Sequence, residues 1–520
     1  MRRLVLLLAA LACATVLPAG TAAAESFTVT TTADSGAGSL RAAIIGTGEL
    51  SEPDTITIEV GGTIELKSEL EPLYNGPVSV VGPGPQALTI TRAASAPDFR
   101  IFEVGPSISA SFEGLAISGG VASKFGGGIY SGSPLTLTDI VLTDNEAVAG
   151  GGENTFAIGG GVVATGQLTV RESTIRGNRA TAKGASDETF AGGGGIGGNA
   201  QLTLERSTVA ENVAQAVSKG GTNALAFGGG IQANSGATIV ASTISGNSLV
   251  AAEGTLLNSA GGGGFSGAVD MTGSTVVGNS VVAAGHGNGA NLDLTFESPV
   301  RDTIVAEPLG DGKDCSVEYE SGGFNIDEDG SCGFGQGSDL SGVAPGLDPV
   351  LKDNGGPTPT HALLPGSVAI DRGNAFGATL DQRGLPRPSD FASIPNLEGG
   401  DGSDVGAFEL QAPTVPQSPS PVATVSLVAG DRTPPNTRIL RGPSRVTFER
   451  LAKFHFTSTE AQSSFQCRVD KRPWRGCRSP YKRRVSPGSK HLFKVRAIDR
   501  FGNVDPTPAQ FGWRVKALGG

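Results

Sequence analysis

The 520-residue chain has few of the residues on which many metal sites and membrane anchors depend. It contains 4 His, 4 Tyr and 2 Trp, and no segment after its first two dozen residues is apolar enough to span a bilayer as a helix. Residues 26–310 also lack the 3.6-residue apolar period of an amphipathic helix. The scarcity of His argues against a zinc site, and the missing period excludes a helical solenoid.

Glycine, in contrast, is abundant, with 79 residues. The glycines do not follow the G-X-Y period of collagen, and short runs of Thr, Val and Ile between them supply apolar surface that a disordered chain would lack. This composition indicates a turn-rich β-structure.

The first 24 residues have the features of a secretory signal peptide. Arg2 and Arg3 precede an apolar run, Leu4–Leu11, and small residues lead to Ala22-Ala23-Ala24. We therefore predict a signal peptide over residues 1–24 and a secreted, extracellular protein without a membrane span. A lipoprotein attached through Cys13 is the alternative, although no Leu stands three residues before that cysteine.

The four cysteines of the mature chain fall into two close pairs. Exported proteins form disulfides in an oxidising compartment, and close spacing favours local pairing. We predict disulfides between Cys315 and Cys332 and between Cys467 and Cys477.

Charge is distributed unevenly along the chain. Residues 432–520 carry a net charge of +15, whereas the whole chain carries −11, so the first 431 residues carry −26. A strongly basic segment in an acidic chain indicates an anionic partner.

A repeat of 33 to 36 residues occupies the middle of the chain. Gly triplets begin at Gly126, Gly159, Gly192, Gly228 and Gly261. A strand-like run and then an asparagine follow each triplet, at Asn145, Asn178, Asn212, Asn247 and Asn279. Each repeat holds about three short strands with sharp corners, which is too little for a propeller blade but enough for one coil of a solenoid. We predict an all-β fold in which residues 25–310 form a right-handed parallel β-helix.

The asparagines are predicted to form a structural ladder at one corner of the coils. Asn tolerates the left-handed corner conformation, and stacked Asn side chains hydrogen-bond to one another. A row of ligand-binding amides is the less favoured interpretation. The variable stretch after each Asn is expected to bulge from the coil as a loop. Beneath these loops Phe125, Phe156, Phe190 and Phe227 form either a hydrophobic strip or an aromatic ladder for a glycan or peptide.

Three segments carry a resemblance to known families. SFTVTTTADSGAGSLRAAI, at residues 26–44, resembles the start of exported bacterial β-helix proteins of the CSLREA type, with Gly38 and Ala42 in place of Cys and Glu. VLKDNGGPTPTHALLPGSVAID, at 350–371, with DQRGLPR at 381–387 and DVGAFE at 404–409, resembles the choice-of-anchor Q domain. The repeats are more weakly similar to those of polymorphic outer-membrane adhesins. The resemblance implies a surface-located β-helix with a choice-of-anchor Q-like region over 311–410, and no activity.

A second domain is expected after a Pro/Ser/Thr-rich linker, residues 411–431. Alternating strands over residues 432–516 resemble bacterial immunoglobulin-like modules and predict a small β-sandwich. Its basic residues Lys471, Arg472, Lys482, Arg483 and Arg484 are candidates for binding an anionic polymer.

Catalysis is not expected. Gly285-His286-Gly287 matches a short motif of polygalacturonases, but the sequence offers neither a clustered set of acids nor a stacked column of them, and glycoside hydrolysis needs two carboxylates flanking the bond. Asp499, Asn503 and Asp505 form a weak calcium candidate, with an ordinary Asx turn as the alternative.

The sequence therefore predicts a non-catalytic exported surface protein, an adhesin or scaffold that binds a glycan or an anionic cell-envelope polymer. The prediction includes a monomer, no cofactor and no nucleic-acid partner. The alternative is a polysaccharide lyase or glycoside hydrolase built on the β-helix.

Overall fold

The structure, a computed structural model, describes residues 25–47, 53–151, 155–185, 188–283, 286–295, 298–310, 312–411, 434–447, 449–460, 463–472, 474–498 and 503–516. The chain divides into a first unit, Met1–Thr414, and a second unit, Val415–Gly520. The predicted signal peptide and almost all of the predicted linker lie outside the described residues. None of the described helices is long and apolar enough to cross a membrane.

The regular secondary structure described in the first unit is almost entirely short strands. Its N-terminal part contains β1 (Ser26–Val29), α1 (Leu40–Gly46), β2 (Asp54–Ile58), β3 (Gly62–Leu66), β4 (Val78–Val81), β5 (Leu88–Arg92), β6 (Phe102–Val104), β7 (Ala110–Ser118), β8 (Val121–Ser123) and β9 (Ile129–Ser131). The repeats contain β10 (Leu135–Thr143), β11 (Glu146–Gly150), β12 (Thr155–Ile158), β13 (Val162–Ala164), β14 (Leu168–Arg171), β15 (Thr174–Arg176), β16 (Arg179–Gly184), β17 (Glu188–Gly192), β18 (Ile196–Gly197), β19 (Leu202–Glu205), β20 (Thr208–Ala210), β21 (Val213–Ser218), β22 (Asn223–Phe227), β23 (Ile231–Val240), β24 (Thr243–Ser245), β25 (Ser248–Ala252), β26 (Leu257–Gly261), β27 (Phe265–Thr272), β28 (Thr275–Val277), β29 (Ser280–Ala283) and β30 (His286–Asn288). The last coils contain β31 (Leu292–Leu294), β32 (Val300–Arg301), β33 (Ile304–Ala306), β34 (Leu309–Gly310), β35 (Ile326–Asp327) and β36 (Leu340–Ser341).

These strands stack in parallel as a β-solenoid, which confirms the predicted parallel, coiled arrangement of strands. One face runs from β1 through β2, β4, β7, β10, β14, β19, β23 and β27 to β32. A second runs through β15, β20, β24, β28 and β33, and a third through β9, β13, β18, β23 and β27. Alternate residues point inward, so Leu137, Val170, Leu204 and Ile239 align as a fully buried column.

A short helix closes the N-terminal end of the solenoid. No helix is expected in this region from the sequence, so α1 corrects that expectation. Ser39 caps the helix, since its hydroxyl accepts a hydrogen bond from the Ala42 N–H, and Leu40, Ala43 and Ile44 are buried. Arg41 pairs with Asp34 at 3.1 Å. The segment that resembles the CSLREA start is therefore a cap for the first coil.

The stretches predicted to bulge as loops instead form two further parallel sheets, which we call the lateral sheets. One contains β8, β11, β16, β21, β25, β29 and β34, and the other contains β12, β17, β22, β26 and β30. Alternate residues of both are buried alanines, among them Ala182, Ala191, Ala216 and Ala226. Because alanine is small, the two sheets pack closely, and the middle coils have five strands rather than three.

The five predicted asparagines lie at one buried corner and form a continuous ladder. Each side-chain amide donates to the Oδ1 of the next asparagine at 2.9–3.0 Å, from Asn145 as far as Asn279. The same amide also donates to a backbone carbonyl, such as Ile175 O for Asn212. Each Oδ1 after the first also accepts the N–H of the preceding ladder residue, and Asn145 Oδ1 accepts the Gly120 N–H. The hydrogen-bonding groups of these buried amides are thus satisfied.

The glycine triplets adapt the backbone to this ladder. The first glycine of each stacked triplet has a positive φ, at Gly126, Gly159, Gly193, Gly228 and Gly262. The stacked triplets begin one residue later than predicted at Gly192 and Gly261, because these two runs contain four glycines. A Cβ on the third glycine would approach the ladder amide, as it would at Gly161, 3.1 Å from Asn178 Cγ. Glycine is therefore required where the third triplet position contacts the asparagine ladder.

A second ladder, not predicted from the sequence, runs through the serine of each Ser-Thr-Ile or Ser-Thr-Val segment. The N–H of Ser173 donates to Ser207 Oγ at 3.1 Å, and the pattern repeats through Ser242 and Ser274. Each hydroxyl donates to a carbonyl two residues earlier, such as Arg171 O for Ser173. The signal in the sequence is a serine at constant spacing, at positions 173, 207, 242 and 274.

On the second face Thr174, Thr208, Thr243 and Thr275 are aligned as a threonine column. Residues 345–411, which we call the C-terminal cover, pack against this column. Gln382 accepts a hydrogen bond from Thr243 Oγ1 at 2.6 Å and donates to Thr208 Oγ1 at 2.9 Å. Arg387, whose side chain is 1% exposed, pairs with Asp302 at 2.6 Å and lies 3.5 Å from Glu409. The motifs that resemble a choice-of-anchor Q domain thus supply buried polar contacts that attach the cover to the solenoid.

The second unit contains two sheets with an aromatic core between them. Its strands are β37 (Thr437–Arg441), β38 (Val446–Thr447), β39 (Leu451–Ser458), β40 (Ser464–Val469), β41 (Arg475–Cys477), β42 (Tyr481–Arg484), β43 (Lys490–Ile498) and β44 (Ala509–Val515). β37, β39 and β42 form one antiparallel sheet, and β38, β44, β43, β40 and β41 form the other, in which only β38 and β44 are parallel. Phe454 of the first sheet stacks on Phe493 of the second with 4.0 Å between ring centroids.

Both predicted disulfides are confirmed. Cys315 is bonded to Cys332 in the last coils of the first unit, and Cys467 is bonded to Cys477 between β40 and β41. Each bridge closes a short loop within one unit.

The ladder makes a specific prediction for stability. Asn212→Leu should lower the free energy of unfolding by about 3 kcal/mol, because the amide and N–H of Asn178, the Ile175 carbonyl and Asn247 Oδ1 each lose a hydrogen-bond partner in a buried site. Urea unfolding measures the change, with the exposed Asn199→Leu as control. A decrease of less than about 1 kcal/mol in the free energy of unfolding would show that the ladder hydrogen bonds contribute little to stability.

Candidate functional site

The positive charge of the second unit lies on the outer faces of both its sheets. Of the residues predicted to bind an anionic polymer, Lys482 and Arg484 are exposed on β42, while Arg483 between them is half-buried. Lys453 lies directly opposite Lys482 on β39. Lys471 and Arg472 are exposed in the turn after β40. The predicted set therefore lies on a strand face and in a separate turn.

The five-stranded sheet carries a second basic surface that the sequence analysis missed. Along β43, His491, Phe493, Val495 and Ala497 are buried, so Lys490, Lys494 and Arg496 point outward. Arg468 on β40 lies opposite Lys494, and Arg514 on β44 lies opposite Lys490. We call this surface the basic sheet face. Alternation of basic and apolar residues along β43 was its signal in the sequence.

An aromatic side chain lies among these cations. The Cζ atoms of Arg468 and Arg496 lie 4.6 and 4.5 Å from the ring centroid of Trp474, which is half-buried. Arg496 is oriented by Gln466, whose Oε1 accepts hydrogen bonds from Nε at 3.0 Å and Nη2 at 2.7 Å. Guanidinium groups close to an indole in this way form favourable cation–π contacts and retain donors for an anion.

Of the three residues of the predicted calcium site, the structure describes Asn503 and Asp505. Asp499 lies outside the described residues, and Asn503 is half-buried. The buried Asp505 carboxylate accepts hydrogen bonds from the N–H groups of Thr437 at 2.9 Å and Thr507 at 2.7 Å. Burial acts to raise the pKa of Asp505, but these hydrogen bonds lower it overall. Asp505 thus anchors the start of β37, as an Asx turn would.

Three carboxylates that the sequence analysis did not single out meet at the end of the ladder. Asn279 donates to Asn291 Oδ1 at 2.8 Å, and Asn291 donates to Asp314 Oδ1 at 2.6 Å. Oxygens of Asp314, Asp327 and Asp329 lie within 4.8 Å of one another, an arrangement that a hard cation could use.

Protons and backbone donors already stabilise this carboxylate cluster. Burial and the Asp329 charge raise the pKa of Asp314 to about 7, and burial raises the pKa of Asp327 to about 6. Asp327 also accepts the N–H of Cys332 at 2.9 Å, beside the disulfide. The cluster therefore changes its charge near neutral pH.

Phe156, Phe190 and Phe227 lie on the outer surface of one lateral sheet, and Phe125 bridges to Ile158 at the edge of that sheet. Phe156 pairs in register with Phe190, whereas Phe227 belongs to the adjacent column, with Gly192 beside it. Ring centroids lie 5.5 Å apart for Phe125 and Phe156, and 6.1 Å apart for Phe190 and Phe227. All four are half-buried on a sheet rather than beneath loops.

His286, the residue of the polygalacturonase-like motif, lies in β30 and pairs with Ser259, so its predicted loop position is wrong. A pair of stacked acids, which was not expected from the sequence, lies at the corner that follows β14. Asp139 and Glu172 lie on neighbouring coils, both with positive φ.

These two acids line a cavity of about 670 Å³ between residues 83–87, the second face and residues 353–359 of the C-terminal cover. Burial raises the pKa of Asp139, and the charges of Glu172 and Glu113 raise it further. Arg206 pairs with Glu172 at 2.6 Å. Thr208 of the threonine column is buried, whereas Thr174 is half-buried and lines the cavity.

The geometry defines an all-β protein in which a parallel β-solenoid precedes a unit with two sheets. No protein-family model, no curated protein and no solved structure matches the chain.

The carboxylate cluster predicts a pH dependence of stability. The pKa of Asp314 is raised on folding, so its contribution is present below about pH 4 and is lost as pH rises through about 7. Asp314→Asn should remove this loss, which is about 4 kcal/mol for a pKa raised by about 3. The amide oxygen can still accept the Asn291 hydrogen bond, but the amide NH2 cannot accept the Asp329 N–H as Oδ2 does. We therefore expect a net gain in the free energy of unfolding of about 2 kcal/mol at pH 8. Denaturant unfolding at pH 5 and pH 8 tests this, with the exposed Glu188→Gln as control. An Asp314→Asn protein less stable than wild type at pH 8 would show that the charged form is preferred.

Proposed function

We propose that this protein is exported, stays at the cell surface and acts as a non-catalytic adhesin or scaffold, which its second unit attaches to an anionic envelope polymer or glycan. The observation that carries the proposal is that Lys and Arg occupy the outer faces of both sheets of the second unit. Lys453, Lys482 and Arg484 lie on one sheet, and Lys490 and Arg514 lie on the other. The signal-like residues 1–24 and the two disulfides support export.

The finer classification belongs to the same proposal. We infer a right-handed β-helix of the CSLREA type with a choice-of-anchor Q-like region, followed by an immunoglobulin-like sandwich. Two motif segments support this inference through their contacts: Ser39 caps α1, and Arg387 forms a buried pair with Asp302. Right-handed connections are also the strong rule for parallel strands in one sheet.

Charge indicates which unit would hold the polymer. The first 431 residues carry −26 and would be repelled by an anionic polymer that attracts the basic residues 432–520. Nucleic acid has the same charge as such a polymer, but export separates the protein from it.

Salt should weaken this attachment. The full-length protein is expected to bind cell-envelope preparations at 0.05 M salt and to elute before 1 M, because the Debye length falls from about 10 Å at 0.1 M to about 3 Å at 1 M. Reversing Lys482, Arg484, Lys490 and Arg514 to Glu should abolish retention. Reversing Lys67, Arg179, Lys183 and Lys219, which are exposed on the solenoid, is the matched control. Retention that survives 1 M salt would rule out electrostatic attachment.

A second candidate function is glycan hydrolysis in the cavity beside Asp139. One observation favours it: a carboxyl group of raised pKa lies next to a second carboxylate in a cavity, the pairing that general acid–base catalysis uses. The ion pair of Glu172 with Arg206 argues against it, because that carboxylate is already neutralised.

We expect no release of reducing ends when the full-length protein is incubated with polygalacturonate or with neutral β-glucans. Asp139→Asn and His286→Ala serve as controls for any background release. Turnover by the wild type that either substitution abolishes would replace the adhesin proposal with the hydrolase.

A further inference from the structure

We propose that Trp474, together with Arg468, Arg496 and Lys494, forms a site for a carboxylate-bearing sugar of an acidic polysaccharide. The inference rests on the attachment function proposed above and names both the face and the ligand class. It assigns binding to the basic sheet face and not to the equally basic sheet that contains Lys482 and Arg484.

Arg468 provides the first observation. Its Cζ lies 4.6 Å from the Trp474 ring centroid, and its buried Nε has no hydrogen-bond partner among the described residues. Buried guanidinium donors are ordinarily hydrogen-bonded, because leaving one unpaired costs free energy. A ligand carboxylate on the accessible side of this guanidinium would offset that cost electrostatically, although Nε itself is closed to solvent.

Arg496 and Lys494 provide the second observation. Gln466 fixes the Arg496 guanidinium beside the indole, so little side-chain entropy remains to be lost on binding. Lys494 pairs directly with Arg468 across β40 and β43. Neighbouring strands are about 4.8 Å apart and alternate residues along a strand about 6.7 Å apart, so the three cations lie on one small patch of the sheet. Two of them, Arg468 and Arg496, lie against the indole ring.

The combination of groups selects the ligand class. A planar guanidinium binds a carboxylate with two parallel hydrogen bonds. An indole adds a flat apolar surface with a polar edge, which suits the apolar face of a pyranose ring. A polyanion without rings would use the cations and leave the indole unused, so an acidic polysaccharide satisfies more of the site.

Fluorescence tests the site directly. The chain has two tryptophans, and Trp513 is 3% exposed, with its ring centroid 5.1 Å from that of Phe454 in the core. Titrating the full-length protein with polygalacturonate at low salt should change the emission of Trp474 and protect it from acrylamide quenching. Trp474→Phe should remove both signals, and it also controls for any change at Trp513.

Affinity measurements by surface plasmon resonance test the face and the ligand class. Arg468→Gln/Arg496→Gln should weaken polygalacturonate binding at least tenfold, whereas Lys453→Gln/Lys482→Gln, with the same loss of charge on the other sheet, should weaken it less than threefold. Trp474→Leu should weaken polygalacturonate at least tenfold but poly-glutamate less than threefold. Retention of the Cys467–Cys477 disulfide and an unchanged melting temperature show that each variant is folded.

The outcomes separate this inference from the attachment function. Wild-type protein that binds neither polygalacturonate nor poly-glutamate nor DNA at low salt would overturn the attachment function itself. Equal weakening by the two double variants, or unchanged affinity in Trp474→Leu, would overturn the site but leave electrostatic attachment standing. Tighter binding of DNA than of polygalacturonate, lost in Trp474→Leu, would replace the acidic sugar by a nucleobase as the occupant.

Discussion

The first unit depends on the hydrogen bond that passes from one buried asparagine amide to the next. A solenoid corner leaves backbone groups that no strand pairs, and water does not reach them. The Asn side chain solves this with two donors and one oxygen, and each coil supplies the acceptor for the preceding one. Because the amide fills the corner, the opposing wall must approach without a Cβ, which requires the third glycine of each triplet. The asparagine ladder and the glycine triplets therefore depend on each other structurally.

The end of the ladder shows the same constraint. In the coil after Asn279, Asn291 stands at the triplet's third position and supplies the amide from there. Asp314 follows as a group that accepts without needing to donate, so the row of aligned amides ends on a carboxyl group. The Cys315–Cys332 disulfide begins at the next residue and fixes that carboxyl against Asp327 and Asp329. The charge that ends the ladder is thus enclosed and titrates close to neutral pH.

The periodic part of this design could be read from the sequence, because constant spacing converts directly into stacking. The five asparagines were predicted on that basis, whereas both disulfides were predicted from the short spacing within each pair of cysteines. The lateral sheets were not, because alternating alanines carry little hydrophobic signal and resemble a loop until two such strands face each other. The basic sheet face was missed for a different reason. Trp474, Arg468 and Arg496 are brought together by the pairing of β40 with β41 and β43, which local patterns do not specify.

The second unit poses the opposite energetic problem to the first. A net charge of +15 over residues 432–520 opposes compactness through self-repulsion. A disulfide and the cluster of Phe454, Phe456, Phe493 and Trp513 offset that repulsion. Stability alone gives no reason to keep the charge, so an external anion is the simplest account of it. Among the described aromatic residues of this unit, Trp474 is the one outside the core, and it lies against two of the cations. An aromatic ring placed there adds nothing to the core between the two sheets, but it would provide a surface for a charged, ring-containing ligand.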